Sequence, residues 1–352
     1  MPFHDVARGP KYYREHCFVP RSTMKNILRG AIPPLRSVLS EGRCCVRRVT
    51  VRGEWTSLYE RVPAPSIVQA WAYGEAKASA GGWGVERLVF ELAGQQVAIC
   101  QVLVKRILGL RVAARINRGP LFLAGDPAEA DVRAVYTALR RRWRLGGAGV
   151  LVLAPGLADT DEHRNWLKAA GFRARGVPGW CSAVLDLRLD DEALRRKLGA
   201  NWRNHLKVSE RGALCFDVST DLGVVDWMFE RHAENMQAKG FSGTPVAFLR
   251  ELQRHAPDDF FVCRALLEGR PVAGMIAFRF GRSAEYFIGW YGPEARQAKA
   301  GNFLLWHAVQ AMRSHGCERF DLGGYSSSDG YGRFKQDMRG SEYRLLEEWI
   351  AF

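Results

Sequence analysis

The chain has 352 residues, of which 47% are hydrophobic and 25% charged, a balance that is typical of globular proteins and excludes a disordered or fibrous chain. Its net charge of +14 favours polyanionic partners: a phosphate-bearing cofactor, a tRNA or an anionic membrane surface. The sequence shows no transmembrane run, no signal-like N-terminus and no CxxC pair among its eight cysteines, so we expect a cytoplasmic protein with reduced thiols and no metal site.

The first half begins with an irregular segment and continues as a regular series of strands and one helix. Residues 1–55 show no sustained hydrophobic period and are interpreted as an extension. The elements predicted after it are three strands within 85–116 with turns at Ala93-Gly94 and Gly109, a breaker at Arg118-Gly119-Pro120, a helix at 127–144 with Asp126 as its cap and Pro127 at its first position, and a strand at 150–155. The three strands predict an antiparallel meander.

The second half repeats this order after two predicted helices, 190–211 and 224–239. A meander within 260–291 has a turn at Glu268-Gly269 and precedes a helix that starts at about 302, is ended by Gly316 and leads into a strand. The turn glycines Gly94 and Gly269 lie 175 positions apart, and the predicted helix starts differ by 174. A near-constant offset over five elements predicts two duplicated domains, 56–178 and 179–352.

This order resembles two tandem copies of the GNAT acyltransferase fold, an α+β class in which each domain has a mixed, mostly antiparallel sheet flanked by helices. Five segments are similar to elements of the Fem family of aminoacyl-transferring peptide ligases: QAWAYGEAK at 69–77, RGP at 118–120, NWRNHLKVSERG at 201–212, the helix and strand of 301–324 that end in DLGG, and GRFKQDMRG at 332–340. Met338 and Arg339 depart from the family pattern, in which Phe and Gly are usual.

The resemblance implies a role for most of the candidate residues. Lys335 would hold the aminoacyl carrier and stabilise the developing charge, with Phe334 beside the substrate. Lys77 and Arg203 would bind anionic groups of a peptide precursor. The loop with Arg296, Lys299 and Gly301 corresponds to the phosphate-binding loop of GNAT enzymes, where a helix N-terminus favours an anion, although it lacks a clean QxxGxG pattern.

Tyr286 and Tyr291 are placed at the end of the second meander, where a substrate would dock, and Asp321 would orient substrate or accept a proton. Each candidate also has a structural reading: the tyrosines as core residues, Asp321 as a residue that shapes its turn, and the charged groups as solvated surface residues or, in the case of the loop, a plain connection. No general base, Ser/His/Asp order or Cys/His pair is evident in the sequence.

The function predicted from the resemblance is transfer of an amino acid from aminoacyl-tRNA to an amine of a peptide-like or peptidoglycan-precursor acceptor, without a tightly bound cofactor. Peripheral membrane contact is compatible with the charge. Five arginines of the first predicted helix are candidates for RNA contacts: Arg133, Arg140, Arg141, Arg142 and Arg144. Two alternatives stay open: an N-acyltransferase that uses acyl-CoA or an acyl carrier protein, and a non-catalytic binding protein.

Overall fold

The computed structural model describes residues 44–144, 149–326 and 330–352, so residues 1–43 of the predicted extension lie outside it. The rest of that prediction is wrong, because Cys45–Val49 forms strand β1 and Arg52–Glu60 forms helix α1. β1 is an edge strand in which only Val49 is buried, so the segment offers no apolar alternation for a sequence pattern to reveal.

The first half of the chain matches the predicted series, with additional elements. After β1 and α1 it contains α2 (Trp71–Gly81), β2 (Gly84–Leu92), β3 (Gln95–Ile107), β4 (Leu110–Asn117), β5 (Leu121–Phe122), α3 (Glu129–Arg144), β6 (Val150–Ala154), α4 (Asp161–Ala169) and β7 (Arg173–Ala174). Asp126 and Pro127 precede α3 rather than cap it, because the carbonyl of Ala128 accepts the bond from the amide of Val132 that opens the helix.

The second half also follows the predicted order. Its elements are β8 (Cys181–Asp186), α5 (Asp191–Lys197), α6 (Ala200–Glu210), β9 (Leu214–Ser219), α7 (Leu222–Lys239), α8 (Val246–His255), β10 (Phe260–Leu267), β11 (Arg270–Phe280), β12 (Ser283–Tyr291), α9 (Ala300–Ser314), β13 (Arg319–Asp321), α10 (Gly330–Gln336), β14 (Ser341–Arg344) and β15 (Trp349–Ala351). The single helix predicted at 190–211 is two helices, because Leu198 and Gly199 are extended and the Gly199 amide donates to the Asp337 carbonyl at 2.8 Å.

The strands form two mixed sheets, which confirms the predicted fold class. The first has the order β1-β2-β3-β4-β6-β15-β7, with β5 paired to β3, and the second has the order β14-β8-β13-β12-β11-β10-β9. One pair in each sheet is parallel, β4 with β6 and β12 with β13, and the other pairs are antiparallel. The C-terminal strand β15 lies in the first sheet, where Trp349 and Ala351 join its core, so the predicted second domain does not contain every residue to 352.

The first residue of the QAWAYGEAK segment, Gln69, stabilises the first domain through its buried side-chain amide. Gln69 is fully buried; its Oε1 accepts from the Gln101 amide at 2.6 Å and its Nε2 donates to the Asn117 carbonyl at 2.8 Å. A Cβ on Gly119 would lie 2.8 Å from the same amide group, so the Arg118-Gly119-Pro120 segment packs directly on Gln69. The two sequence segments therefore form one rigid unit at the end of β4.

Replacing Gln69 with alanine is expected to lower the free energy of unfolding by about 3 kcal/mol, because it leaves buried backbone groups of β3 and β4 without hydrogen-bond partners. Urea denaturation followed by circular dichroism measures the change. Gln95→Ala, which removes an exposed glutamine from β3, is the matched control and should leave stability unchanged. Equal stability of the two variants would contradict this role of Gln69.

Candidate functional site

The second sheet opens between its two parallel strands, whereas the first does not. β12 pairs with β13 only over Ser283–Glu285 and then continues to Tyr291, and along that stretch the described residues supply no partner strand on the same side. In the first domain the corresponding strands β4 and β6 remain paired over all five residues 113–117. The opening beyond Glu285 is where charged side chains of both domains meet.

Lys335 lies in this opening. It projects from α10, is only 2% exposed, and donates from Nζ to the carbonyls of Gly323 at 3.2 Å and Gly324 at 3.5 Å. The ammonium also lies over the rings of Tyr286 at 4.6 Å and Tyr331 at 4.4 Å. The carbonyl dipoles and the aromatic faces together stabilise a positive charge that is almost removed from water.

The two glycines after β13 permit this approach. Gly323 has a φ of +72°, and a Cβ there would lie 2.3 Å from the Tyr286 carbonyl oxygen. A Cβ on Gly324 would lie 2.6 Å from the Trp180 ring. A side chain at Gly323 would therefore push the loop away from β12, and one at Gly324 would push it away from Trp180; either shift would displace the carbonyls that hold Lys335.

Asp321 is fully engaged in hydrogen bonds that hold this loop. Its Oδ1 accepts from the Ser182 hydroxyl at 2.5 Å and from the Gly323 amide at 2.8 Å, and its Oδ2 accepts from the Tyr343 hydroxyl at 2.5 Å. Burial, followed by the nearby Asp321 carboxylate, raises the pKa of Tyr343 well above its usual value, so Tyr343 remains a donor. These contacts fit a group that orients the loop better than one that accepts a proton.

Glu285, a residue not predicted from the sequence, is a candidate proton acceptor. It is 1% exposed at the last position of β12 that pairs with β13. Its Oε2 accepts from Arg118 Nη1 at 3.1 Å, and its Oε1 has no hydrogen-bond partner in the described part of the chain. Its pKa is raised to about 7, mainly by burial; the Arg118 guanidinium and the Lys335 ammonium lower it, and the Asp321 carboxylate raises it. A carboxyl that titrates near neutrality suits general base catalysis.

Arg118 brings a charge from the first domain into the second. It has a φ of +46°, is 8% exposed, and stacks its guanidinium 4.1 Å from the centre of the Trp180 ring while it pairs with Glu285. Because Gly119 packs on the buried Gln69 amide, the backbone that carries Arg118 is fixed. The pair therefore depends on the correct arrangement of both domains.

The two predicted tyrosines and Phe334 form one wall beside the N-terminus of α9. The hydroxyls of Tyr286 and Tyr291 lie 3.2 Å apart. A Cβ on Gly301 would lie 3.3 Å from the Tyr291 ring and 3.8 Å from the Phe334 ring. Because Gly301 has no side chain, the rings of Tyr291 and Phe334 can pack close to the start of α9.

The predicted carrier loop begins α9 as expected. Arg296 is exposed, and Lys299, with a φ of +54°, is the N-cap residue whose carbonyl accepts from the amides of Asn302 and Phe303. Its proposed contact with phosphate stays a prediction.

Two other predicted residues lie outside this opening, and one of them, Lys77, is buried. The Lys77 ammonium packs over the rings of Phe248 at 4.3 Å and Tyr73 at 5.4 Å, between α2 and α8. Arg203 in α6 donates to the Arg196 carbonyl at 3.1 Å. Their substrate-binding roles also stay predictions.

The arginines of α3 are partly engaged within the protein. Arg142 pairs with the buried Glu86 carboxylate at 3.0 Å, and Arg133 pairs with Glu129 at 3.5 Å. Arg141 is exposed, and the side chain of Arg144 lies outside the described residues. The RNA contact predicted for this helix therefore has fewer available cations than the sequence suggests.

Comparisons with known proteins agree with this architecture. Residues 192–336 match the family described as "Acetyltransferase (GNAT) domain". The structure of FemX is similar with a TM-score of 0.72 and 14% identity, over 87% of this chain and 96% of that one. A tandem GNAT protein from the clavulanic acid biosynthesis pathway has a TM-score of 0.53 and 13% identity, over 88% of this chain and 98% of that one.

The C-terminal domain of a putative lysylphosphatidylglycerol synthetase from Agrobacterium fabrum has a TM-score of 0.52 and 14% identity, over 85% of this chain and 91% of that one. No curated protein sequence matches the chain. The chain therefore has the tandem-GNAT fold of FemX, which confirms the resemblance at the level of fold. None of the helices in the described residues combines the length and apolar character that a bilayer crossing requires.

Proposed function

We propose that the protein transfers an amino acid from aminoacyl-tRNA to an amine of a peptide-like acceptor of the peptidoglycan-precursor class. The observation that carries this proposal is the buried group of Arg118, Glu285 and Lys335 at the only place where the two parallel strands of the described second sheet separate. The sequence resemblance to Fem ligases and the fold shared with FemX support the aminoacyl donor.

The chemistry needs a proton acceptor and a cation on opposite sides of one carbonyl. The acceptor amine forms a C–N bond to the ester carbonyl of the aminoacyl donor, and its proton passes to the available Oε1 of Glu285. The Lys335 ammonium stabilises the negative charge that develops on the carbonyl oxygen. The ester C–O bond then breaks, and the proton returns from Glu285 to the departing ribose hydroxyl.

Arg118 adjusts the pKa of Glu285 and occupies one of its two carboxylate oxygens in this scheme. By pairing with Oε2 it lowers the pKa that burial raises, and it leaves Oε1 available to accept the proton of the acceptor amine. Because Glu285, Lys335 and Tyr286 are each no more than 3% exposed, the reacting atoms would be shielded from water. Electrostatic stabilisation is stronger in such a site, and hydrolysis of the ester is suppressed.

Acyl-CoA as donor is the second candidate, and a specific observation favours it. The family match to an acetyltransferase domain covers the N-terminus of α9, and in this candidate function Arg296 and Lys299, which precede that helix, would contact a diphosphate. Lys335 and Glu285 would then keep the same roles, but the amine would attack a thioester carbonyl instead of an oxygen-ester carbonyl.

A donor screen separates these candidates. Purified protein is incubated with a short lysine-containing peptide and either a pool of charged tRNA or a set of acyl-CoAs, and the peptide mass is followed. We expect an amino acid mass to be added only with charged tRNA, and the reaction to weaken steeply as salt rises. Transfer only from acyl-CoA would select the second candidate. No transfer, with Lys335→Ala altering only partner affinity, would indicate a binding protein.

A further inference from the structure

The β3–β4 hairpin ends in an apolar tip that consists of Ile107, Leu108, Leu110 and Val112. These side chains are 59%, 98%, 71% and 37% exposed, respectively. Since successive residues of a strand point to opposite faces, exposure of neighbouring residues shows that both faces of the hairpin end are open to solvent. The tip projects beyond the body of the first domain.

Leu108 has no structural reason to be leucine. It occupies the first position of a two-residue turn with a φ of +49°, followed by Gly109 with a φ of +80°. Two other hairpins have the same backbone conformation, with Ala93 and Glu268 at this position. Such turns favour Asn, Asp or Gly, and a leucine here is strained while burying almost no surface. Its side chain therefore adds almost no burial to the described fold and is available for a contact outside it.

Cationic and aromatic side chains surround the base of the tip. Three arginines, Arg106, Arg111 and Arg142, share the single carboxylate of Glu86, which leaves an excess of positive charge. The Lys105 ammonium lies 4.7 Å from the centre of the Trp83 ring. A half-buried tryptophan beside lysine is typical of side chains at the boundary between water and lipid.

We propose that the apolar tip inserts into the interfacial region of an anionic lipid bilayer, with the surrounding cations contacting the headgroups. A fluid hydrocarbon layer can surround a tip that is exposed on all sides, whereas a protein partner would need a socket of matching shape. The excess positive charge selects an anionic surface over a neutral one. A single hairpin of this size gives weak, reversible attachment.

This attachment would hold the functional site above the membrane. β4 runs from Leu110 in the tip to Asn117, immediately before Arg118. A strand of this length places Arg118 roughly 25 Å from the tip. While the tip is inserted, the site would lie within roughly 25 Å of it and therefore near the lipid surface. This inference does not depend on the proposed function.

Co-sedimentation with vesicles tests the inference. Wild-type protein is expected to sediment with vesicles of phosphatidylcholine and phosphatidylglycerol more than with phosphatidylcholine alone. Leu108→Asn should lower the partition coefficient about tenfold or more, through loss of a leucine side chain that would be buried in lipid. The variant should unfold at the same or a higher temperature, because asparagine suits the turn.

The matched control is Leu222→Asn, which changes a leucine that is 65% exposed at the start of α7. It should bind vesicles as the wild type does. Equal binding by Leu108→Asn and wild type, equal binding to both kinds of vesicle, or no vesicle binding by the wild type would overturn the inference. Self-association that disappears in Leu108→Asn without vesicle binding would overturn it in favour of a protein partner.

Discussion

Replacing Lys335 with methionine is expected to lower the rate of aminoacyl transfer by about 100- to 1,000-fold, the usual cost of removing one group that stabilises an oxyanion. Methionine keeps most of the volume and removes only the charge and its donors. Because Lys335 is 2% exposed and lies between Tyr286 and Tyr331, no water replaces the ammonium at low cost. Single-turnover transfer from charged tRNA measures the change in the chemical step.

Lys207→Met is the matched control, since Lys207 is an exposed lysine of the same domain. It should retain full activity. Both variants should be folded, which circular dichroism and a cooperative thermal transition would show. A rate for folded Lys335→Met within a factor of about three of the wild type would contradict a role in charge stabilisation.

Removing Arg118 is expected to damage both stability and activity. Arg118→Met leaves the buried Glu285 without its partner, which should cost about 3–5 kcal/mol of unfolding free energy. Glu285→Gln combined with Arg118→Met should recover a large part of that loss, because no unpaired charge remains. Chemical denaturation of the wild type, the two single variants and the double variant gives the coupling energy directly.

The exposed pair of Arg282 and Glu318 supplies a control for this cycle. Its atoms are 2.7 Å apart, but Arg282 is 71% exposed, so Arg282→Met should cause no measurable loss of stability. A coupling energy near zero between Arg118 and Glu285 would show that the buried pair does not join the domains. Any activity left in Arg118→Met should move to higher pH, since Arg118 lowers the pKa of Glu285.

Local patterns predicted the elements of the fold better than their long-range partners. Both meanders were found because β-branched runs and two-residue turns are local signals. The break at Gly199 was missed because it depends on a contact with Asp337, far along the chain. Strand β15 was missed for the same reason. Its three residues form a strand only because they pair with β6 and β7, which lie far away along the chain.

The site was predicted in part. Lys335 lies over the Tyr286 ring, and Gly323 joins it to Asp321 by hydrogen bonds to both residues, although the roles of the three predicted residues stay predictions. Glu285 was overlooked, yet a carboxylate within the apolar strand SAEYFIGWY is a signal that sequence reasoning can use. The link from Arg118 to Glu285 crosses the two domains, and no local pattern encodes such a distance.

The pH dependence of single-turnover transfer from charged tRNA tests the central claim most directly. At each pH the wild-type rate is divided by that of Glu285→Gln, which cancels the titration of the acceptor amine that both enzymes share. With Glu285 as the base and its pKa at about 7, this ratio should fall about tenfold for each pH unit below that value and level off above it. A ratio that does not change across this range would contradict the assignment of this buried group as the active site.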